Sequence, residues 1–303
     1  MLRKLLTRPI WWWERKRPYP IRSRFDLLPP LGVVKGRARF VVLTTPPALH
    51  DAMWAAWSWY RYLRPHGFEL QLAVDGKLTE QDAAAARQLF PGISISEVEK
   101  VLAPLCEKEP VLAGFFRGHP LGRKLGLVLA LSQQGPVLYS DHDVLAFNRP
   151  HELLSCVGKN VPCYIPEDSE GNCDFDIVAR AKTLGLDYIA KFNSGLLHVP
   201  AGALSLDLTT RLLAEWRPPA KSWFTEQTLL NVLMRSVNAH PLPGDRYVIN
   251  LRRQFYWERD ANYKTIAARH FTGPVRHVMY RYGMPAILEQ SRQVPAEKEQ
   301  HVG

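Results

Sequence analysis

The sequence predicts an α/β fold, a single domain built on a mainly parallel, Rossmann-like sheet flanked by helices. The first reason is that strand-like apolar runs alternate with helical segments from Arg39 to Ser140, since strands joined by helices pair in parallel. The second is composition, because 46% of the 303 residues are hydrophobic and 22% are charged, as in ordinary globular proteins. The third is that the longest apolar runs, such as Leu125–Leu131, have the length of a core segment and not of a membrane span.

Each predicted element has recognisable ends in the sequence. Pro46 and Pro47 end the first β-rich run, because proline lacks the N–H that a strand needs. Thr79 followed by Asp82 resembles an N-terminal helix cap, and Gly135 is typical of the residue that follows a helix. The predicted strands are Arg39–Thr45, Phe68–Gly76, Ile93–Val98 and Pro136–Ser140, and the predicted helices are Ala48–Leu63, the segment that follows Thr79, and Leu121–Gln134.

Polar side chains stand where three of the predicted strands end. Ligands of parallel sheets bind outside the carboxyl ends of the strands, so these positions are expected to face a common site. The residues at these ends are Thr44, Thr45, Asp75, Asp141 and Asp143. Their convergence is the first indication of a binding site.

Positive charge is concentrated near the two ends of the chain, whose net charge is +10. Residues Met1–Arg24 include eight basic residues and one acid, a net charge of +7. Residues Arg246–Arg281 include eight basic residues and two acids, a net charge of +6, which leaves the remainder slightly acidic. Two local basic blocks favour two anionic partners over a generally basic surface.

Residues 1–30 are predicted to form a basic arm, rich in tryptophan and proline, ahead of a domain at residues 31–283. Five prolines oppose a long helix in this arm, and Trp11–Trp13 lie among arginines and lysines. Aromatic rings mixed with cations suit the headgroup layer of an anionic membrane. The alternative is that the tryptophans pack against the domain or an oligomer partner.

The location predicted for the protein is the cytoplasm, with the arm as a peripheral contact to the inner face of the membrane. The N-terminus has charges but no sustained apolar segment of a secretory signal. The four cysteines form no CxxC pair, which favours free thiols and leaves a metal or disulfide role open for the three that cluster. Residues 284–303 are predicted to be a frayed polar tail.

The stretch PVLYSDHDVLAFN contains Asp141 and Asp143 on either side of His142. Alternate residues of a strand share a face, so the two carboxylates are expected to point the same way. Hard oxygen ligands of this kind suit Mn²⁺ or Mg²⁺ carrying a diphosphate. A simple turn or helix cap at Asp143 is the alternative.

Three later stretches complete a pattern with the Asp-x-Asp motif. In this order, the four resemble the nucleotide-sugar glycosyltransferases of the GT-A fold, and the last one most resembles the retaining, glycogenin- and galactosyltransferase-like family. The resemblance covers roughly Arg39 to His277. The three stretches are KFNSGLLHVP at Lys191–Pro200, WFTEQTLLNVLM at Trp223–Met234 and ARHFTGPVRH at Ala268–His277.

The resemblance implies a metal site and a donor site. Asp141, Asp143 and His270 would hold the metal, and the imidazole is a ligand that Mn²⁺ accepts readily. The alternative for His270 is a buried histidine whose hydrogen bonds are satisfied. The alternative for Lys124 and Arg276 is a solvated side chain. The alternative for the N-S-G stretch is a turn that leads into a strand. The implied donor-binding residues are Thr44, Asp75, Lys124 with its neighbour Arg123, Asp141, His142, Ser194, Gly195, Gly273 and Arg276.

The resemblance also implies three catalytic residues, Glu226, Gln227 and Asn193. Glu226 would act as a base or stabilise positive charge on an oxocarbenium-like sugar. The alternative is a carboxylate that merely favours the helix start, where Thr225 is the predicted cap. The acidic stretch Cys163–Asp176 is either an acceptor-facing loop or a solvated loop.

The sequence therefore predicts a metal-dependent glycosyltransferase that uses Mn²⁺ or Mg²⁺ and moves a sugar with retention. The favoured donor is a UDP-sugar, and the acceptor is a carbohydrate or glycolipid. The alternatives are a metal-dependent phosphohydrolase or nucleotidyltransferase, and a non-catalytic protein that binds a nucleotide sugar or nucleic acid. Nucleic acid is not expected, because the basic residues lie at two ends and not along one stripe.

Overall fold

The computed structural model describes residues 17–167, 172–217, 222–249 and 261–292. The predicted α/β fold with a mainly parallel sheet is confirmed. A seven-stranded sheet has the order β3-β2-β1-β4-β7-β6-β8, and a three-stranded sheet has the order β5-β10-β9. The strands are β1 Ala38–Thr44, β2 Phe68–Val74, β3 Ser94–Glu97, β4 Val137–Asp141, β5 Val144–Ala146, β6 Cys163–Ile165, β7 Asn193–Val199, β8 His240–Pro241, β9 Tyr247–Val248 and β10 Ala268–His270.

Eleven α-helices cover the sheets within the described ranges. None of them is long and apolar enough to cross a membrane. The helices are α1 Leu49–Leu63, α2 Glu80–Leu89, α3 Val98–Lys108, α4 Pro110–Gly118, α5 Gly122–Ser132, α6 His151–Gly158, α7 Phe175–Thr183, α8 Leu206–Leu212, α9 Thr225–Ser236, α10 Arg276–Val278 and α11 Met284–Ser291.

Most of the predicted elements in the first half are present with small shifts at their ends. The Thr79 cap is confirmed, because its Oγ1 accepts a hydrogen bond from the Asp82 N–H at 3.1 Å. The predicted strand Ile93–Val98 is shorter, since Val98 begins helix α3. Asp141 is the last residue of β4, and Asp143 lies in the turn that follows.

Helix α1 is buried on almost every side, as a helix that is apolar all round must be. Trp54, Trp59 and Tyr60 have 0% exposed surface. The helix packs against the large sheet and also holds β5, because Trp59 Nε1 donates to the Val144 carbonyl at 2.9 Å. This anchors the strand that immediately follows the Asp-x-Asp motif.

The N-terminal segment packs on α1 from residue 19 onward. A 3₁₀-helix spans Pro20–Leu27, consistent with prolines that oppose a long helix. The indole of Trp54 donates to the Arg22 carbonyl at 3.0 Å, and Arg22 pairs with the buried Asp51. The predicted membrane-binding tryptophans Trp11–Trp13 lie outside the described residues.

The prediction of a frayed tail from Met284 onward is wrong for residues 284–291. This segment forms helix α11, and Met284 and Ile287 are fully buried in the core beside α1. The polar sequence concealed a short apolar face with helical spacing. Residues 293–303 lie outside the described ranges.

Candidate functional site

The sheet brings the predicted strand ends to one edge. Strands β2 and β4 both run parallel to β1, so Thr44 lies opposite Val74 and Leu43 lies opposite Asp141. Strand β7 is antiparallel to β4 and therefore begins where β4 ends. As a result, Asn193 at the start of β7 comes next to the Asp-x-Asp motif.

Asp141, Asp143 and His270 form a group that could hold a metal ion. One ligand atom from each lies within 4.8 Å of the others. His270 Nε2 is 3.1 Å from Asp143 Oδ1 and 3.9 Å from Asp141 Oδ2. Pairing of β10 with β5 places His270 opposite Val144, and the Phe271 N–H donates to the Asp143 carbonyl at 2.8 Å.

Hydrogen bonding fixes the orientation of the His270 ring and turns Nε2 towards the two carboxylates. The Gly195 N–H donates to Asn193 Oδ1 at 2.8 Å, which identifies this atom as the amide oxygen. His270 Nδ1 lies 2.9 Å from the same oxygen and must therefore donate its proton to it. In the neutral ring the lone pair of Nε2 then faces the two carboxylates, which is the arrangement of a metal-ligating histidine held by an outer partner.

Gly195 lies directly against the His270 ring, and its predicted contact with the donor stays a prediction. A Cβ at this position would lie 2.5 Å from His270 Cε1 and 2.6 Å from Nδ1. These distances are too short for any non-glycine side chain without movement of the ring. Glycine is therefore required at position 195 by the close contact with the His270 ring.

Lys124 is buried in the middle of the site, so the alternative of a solvated helix face is wrong. Its Nζ lies 3.0 Å from Asp141 Oδ2, 2.9 Å from Ser194 Oγ and 3.8 Å from Glu226 Oε1. Burial lowers the pKa of this amine, but the charges of Asp141 and Glu226 outweigh it and raise the pKa overall. Lys124 is therefore a fixed cation among carboxylates.

Glu226 is 1% exposed at the start of helix α9. Burial raises the pKa of its carboxyl to about 7, although Lys124 opposes the shift. Its Oε2 accepts a 3.4 Å hydrogen bond from Ser194 Oγ, and among the described residues Oε1 has no hydrogen-bond partner. A carboxyl that is about half ionised near neutral pH suits acid–base or electrostatic work.

The predicted cap at Thr225 is wrong. Phe224 occupies the cap position, and Thr225 is the first residue of α9. The Thr225 hydroxyl donates instead to Asp174 Oδ2 at 2.5 Å. This bond ties α9 to α7, so Asp174 is buried and does not belong to a solvated loop.

Arg276 forms an ion pair with Asp143 in this structure. Burial acts to raise the pKa of Asp143, but the charge of Arg276 outweighs burial and holds the pKa well below its usual range. The alternative of a solvated Arg276 is wrong. Its predicted contact with a leaving phosphate remains a prediction.

The remaining predicted residues lie around this centre. Gln227 Oε1 accepts from Asn193 Nδ2 at 3.2 Å, which links two of the predicted catalytic residues. Asp75 forms an ion pair with Arg123, and Thr44 is buried with its hydroxyl donating to the Thr45 carbonyl at 3.1 Å.

Two predicted donor residues make less defined contacts. His142 lies in the turn between the two aspartates, and its Nε2 is buried without a hydrogen-bond partner among the described residues. Gly273 begins a 3₁₀ turn, and a Cβ there would meet nothing within 4 Å. The structure therefore gives no steric reason for glycine at 273.

Sequence reasoning missed Tyr139 and Asn172. The Tyr139 hydroxyl donates to Asp141 Oδ1 at 2.5 Å, and Gln227 Nε2 donates to the Asn172 carbonyl at 3.2 Å. The period-two pattern of β4 could have identified Tyr139, since residues 139 and 141 share a face. For Asn172 the sequence carries no comparable signal.

The group fits a hard divalent cation by its chemistry. Two carboxylates and an imidazole whose Nε2 faces them are ligands that Mn²⁺ and Mg²⁺ sites contain. Lys124 and Arg276 add positive charge on either side, at Asp141 and Asp143. Such a site can bind an anion of high charge, such as a diphosphate.

Solved glycosyltransferase structures share this architecture, which is the GT-A fold. The sequence itself matches no known protein family and no curated protein. The resemblance to GT-A enzymes is therefore confirmed as one of fold, and the retaining subfamily stays a prediction.

Three of these structures show the extent of the likeness. The galactosyltransferase LgtC, in complex with donor and acceptor sugar analogues, aligns with a TM-score of 0.56 and 16% identity over 86% of this chain and 98% of LgtC. Mouse xyloside xylosyltransferase 1 in its apo form aligns with a TM-score of 0.50 and 12% identity, over 81% of this chain and 99% of the xylosyltransferase chain. The apo structure of the bifunctional glycosyltransferase WbbM aligns with a TM-score of 0.53 and 14% identity over 86% of this chain. The alignment covers about half (51%) of the WbbM chain.

Proposed function

We propose that this protein is a metal-dependent glycosyltransferase that moves a sugar from a nucleotide-diphosphate donor to an acceptor. The observation that supports this most is the group Asp141, Asp143 and His270 at the carboxyl end of β4, with Lys124 and Glu226 beside it. The fold shared with galactosyl- and xylosyltransferase structures also supports this chemistry.

The donor diphosphate would lie against the aspartate–histidine group. A bound Mn²⁺ or Mg²⁺ supplies Lewis-acid neutralisation of charge on the diphosphate as the glycosidic bond breaks. Arg276 would exchange part of its contact with Asp143 for a phosphate oxygen, since a guanidinium forms bidentate contacts with either anion. Thr44 and Asp75 at the ends of β1 and β2 would contact the nucleoside, for which UDP is favoured.

The donor sugar would lie between Ser194, Lys124 and Glu226. Positive charge that develops on the sugar ring is stabilised by the Glu226 carboxylate, which is buried and therefore acts through a low dielectric. Asn193 holds Gln227 in place through its amide, 3.2 Å from Gln227 Oε1. Transfer with retention requires no separate general base, which fits a site with one buried glutamate beside the metal group.

The acceptor proposed for this reaction is a carbohydrate or a glycolipid. LgtC, whose structure contains donor and acceptor sugar analogues, shares this fold over 98% of its length. A basic arm at residues 1–30 that contacts an anionic membrane from the cytoplasmic side would bring the enzyme to a glycolipid.

The experiment that tests the function is calorimetric titration of the full chain with UDP in the presence and absence of Mn²⁺. We expect binding that requires Mn²⁺ in the intact chain and that is lost in Asp143→Ala. Asp207→Ala is the matched control, because this carboxylate is 82% exposed on α8 and pairs only with Arg211 of the same helix among the ion pairs of the described residues. Binding that persists without metal, or in Asp143→Ala, would separate the nucleotide site from these ligands and contradict the proposal.

A further inference from the structure

Three large aromatic side chains are exposed at the starts of helices α7 and α9, and the proposed function uses none of them. Phe175 is 75% exposed, Trp223 is 62% exposed and Phe224 is 38% exposed. We refer to these three residues as the aromatic rim. Single exposed apolar residues are normal on protein surfaces, but several large rings from adjoining segments mark a binding surface.

Hydrogen bonds hold together the two segments that carry the rim. The Thr225 hydroxyl donates to Asp174 Oδ2 at 2.5 Å, and the Asp174 N–H donates to Thr228 Oγ1 at 2.8 Å. Phe175 directly follows Asp174, and Phe224 directly precedes Thr225. Phe175 therefore begins α7, and Trp223 and Phe224 lie in the turn directly before α9, to which α7 is tied by these bonds.

The segments that carry the rim are also hydrogen-bonded to the site through Gln227. Gln227 is partly exposed, and its Nε2 donates to the Asn172 carbonyl at 3.2 Å, three residues before Phe175. Two residues after Phe224, the buried Oε1 of Glu226 has no hydrogen-bond partner among the described residues. Lys124 Nζ is 3.8 Å away, which is an ion-pair distance and leaves the hydrogen-bonding capacity of this oxygen for a hydroxyl of a ligand.

We propose that the aromatic rim is the acceptor subsite and stacks a hexose ring of a carbohydrate acceptor. The assignment builds on the proposed function and names the chemistry of its second substrate. The face of an aromatic ring is electronegative, so it attracts the electropositive C–H groups on one face of a sugar ring. A hexose stacked on the rim would place a hydroxyl group towards Gln227 and Glu226, next to the donor sugar.

The test is the affinity of the full chain, loaded with Mn²⁺ and UDP, for lactose, cellobiose and maltose by NMR titration. We expect the intact chain to bind at least one of these disaccharides. Phe175→Ala and Trp223→Ala should each weaken that binding about tenfold, by the loss of one stacking contact. Trp223→Phe should retain most of the affinity, because it keeps a ring at the same position.

Two controls make the result specific to the rim. Tyr282→Ala removes a ring that is 52% exposed on the C-terminal segment and should leave sugar affinity unchanged. Calorimetry with UDP and Mn²⁺ should give the same affinity for the intact chain and for the rim variants. Folding of each variant is checked by its thermal transition.

The outcomes separate this proposal from the proposed function. An intact chain that binds UDP but none of the disaccharides, or rim variants that bind sugar as tightly as the intact chain, would overturn the acceptor subsite alone. Rim variants that no longer bind phosphatidylglycerol vesicles but still bind sugar would also overturn the acceptor subsite, because the rim would then be a membrane contact. Loss of UDP binding in the rim variants would also overturn it, since the rim would then serve the donor. An intact chain that binds no UDP with metal contradicts the proposed function itself.

Discussion

Lys124 Nζ lies 3.0 Å from Asp141 Oδ2 and is 3.8 Å from Glu226 Oε1, and all three side chains lie inside the site. The lysine thus connects the metal group to the buried glutamate. Its third neighbour is the Ser194 hydroxyl at 2.9 Å. A single buried cation therefore compensates carboxylates from two different elements, β4 and α9.

Replacement of Lys124 by methionine should destabilise the protein by about 3 kcal/mol, because the buried carboxylates lose their cation. The loss should be larger at pH 8 than at pH 5.5. At the lower pH Glu226, whose pKa is raised to about 7, is protonated and needs no partner. Urea denaturation at the two pH values measures the difference.

Lys100→Met is the matched control for this substitution. Lys100 pairs with Glu97 at 2.9 Å on the surface, and its side chain is 75% exposed. Exposed pairs of this kind contribute little to stability. Equal losses of stability for the two lysine variants would show that Lys124 does not compensate the buried carboxylates.

The raised pKa of Glu226 predicts that its contribution to stability falls as the pH rises from about 4.5 to about 7. The unfolded carboxyl ionises near its ordinary value of 4.5, whereas burial keeps the folded one protonated up to about 7. Between these values the folded state binds the extra proton, so a rise in pH favours unfolding. The shift corresponds to roughly 3 kcal/mol over this window.

Glu226→Gln should remove this dependence, and the difference in unfolding free energy between parent and variant should therefore change with pH. Burial lowers the pKa of His119 and His198, which acts in the opposite direction in part of the same range. These histidines are present in both proteins, so their effect cancels in the difference. A difference that stays constant from pH 4.5 to pH 7.5 would mean that Glu226 is not shifted.

Gly195→Ala should weaken Mn²⁺ binding by displacing the His270 ring. The added Cβ would lie 2.5 Å from His270 Cε1, and loss of the ring's outer hydrogen bond typically costs about 10–100-fold in metal affinity. Gly114→Ala in helix α4 is the control, since a Cβ there meets nothing within 4 Å. Mn²⁺ titration followed by electron paramagnetic resonance measures both, and equal affinities would exclude the steric role of Gly195.

The sheet edge of this site could be predicted from the sequence because it depends on local pattern. Strands that alternate with helices specify a parallel sheet, and the residues that follow such strands must meet at one edge. Asp75 and Asp141 meet there for this reason. The order of the motifs then identified His270 by resemblance, although it is 127 residues from Asp143 in the sequence.

The contacts that set the chemistry could not be predicted from pattern. A lysine at the start of a helix is expected to be solvated, and only the packing of α5 against β4 and α9 shows that Lys124 is buried. Likewise, a glycine in N-S-G suggests a turn, whereas its requirement comes from the His270 ring on another strand. Burial and cross-strand distances are properties of the folded chain, and they decide both cases.

Asp51 should couple the N-terminal segment to the segment that carries Arg276. The carboxylate is 1% exposed and accepts hydrogen bonds from Arg22 Nε at 2.8 Å and from the Tyr280 hydroxyl at 2.9 Å. Tyr280 is four residues after Arg276 in a continuous helical stretch, and the ring of Tyr19 lies 4.9 Å from the ring of Tyr280. Asp51→Asn should therefore destabilise the fold by about 2–3 kcal/mol, since Arg22 is left half-buried without its anion.

The same variant should weaken Mn²⁺-dependent UDP binding if Asp51 positions Arg276 and does not only stabilise the fold. Tyr280→Phe provides the comparison, because it keeps the ring and removes one hydrogen bond worth about 1 kcal/mol. A structural role alone would lower stability in both variants and leave UDP affinity unchanged under conditions where each is fully folded. A positioning role requires that affinity falls in both, by more in Asp51→Asn. The single amide oxygen of asparagine cannot replace both carboxylate oxygens that accept from Arg22 and Tyr280, so the segment that holds Arg276 against Asp143 is held less firmly.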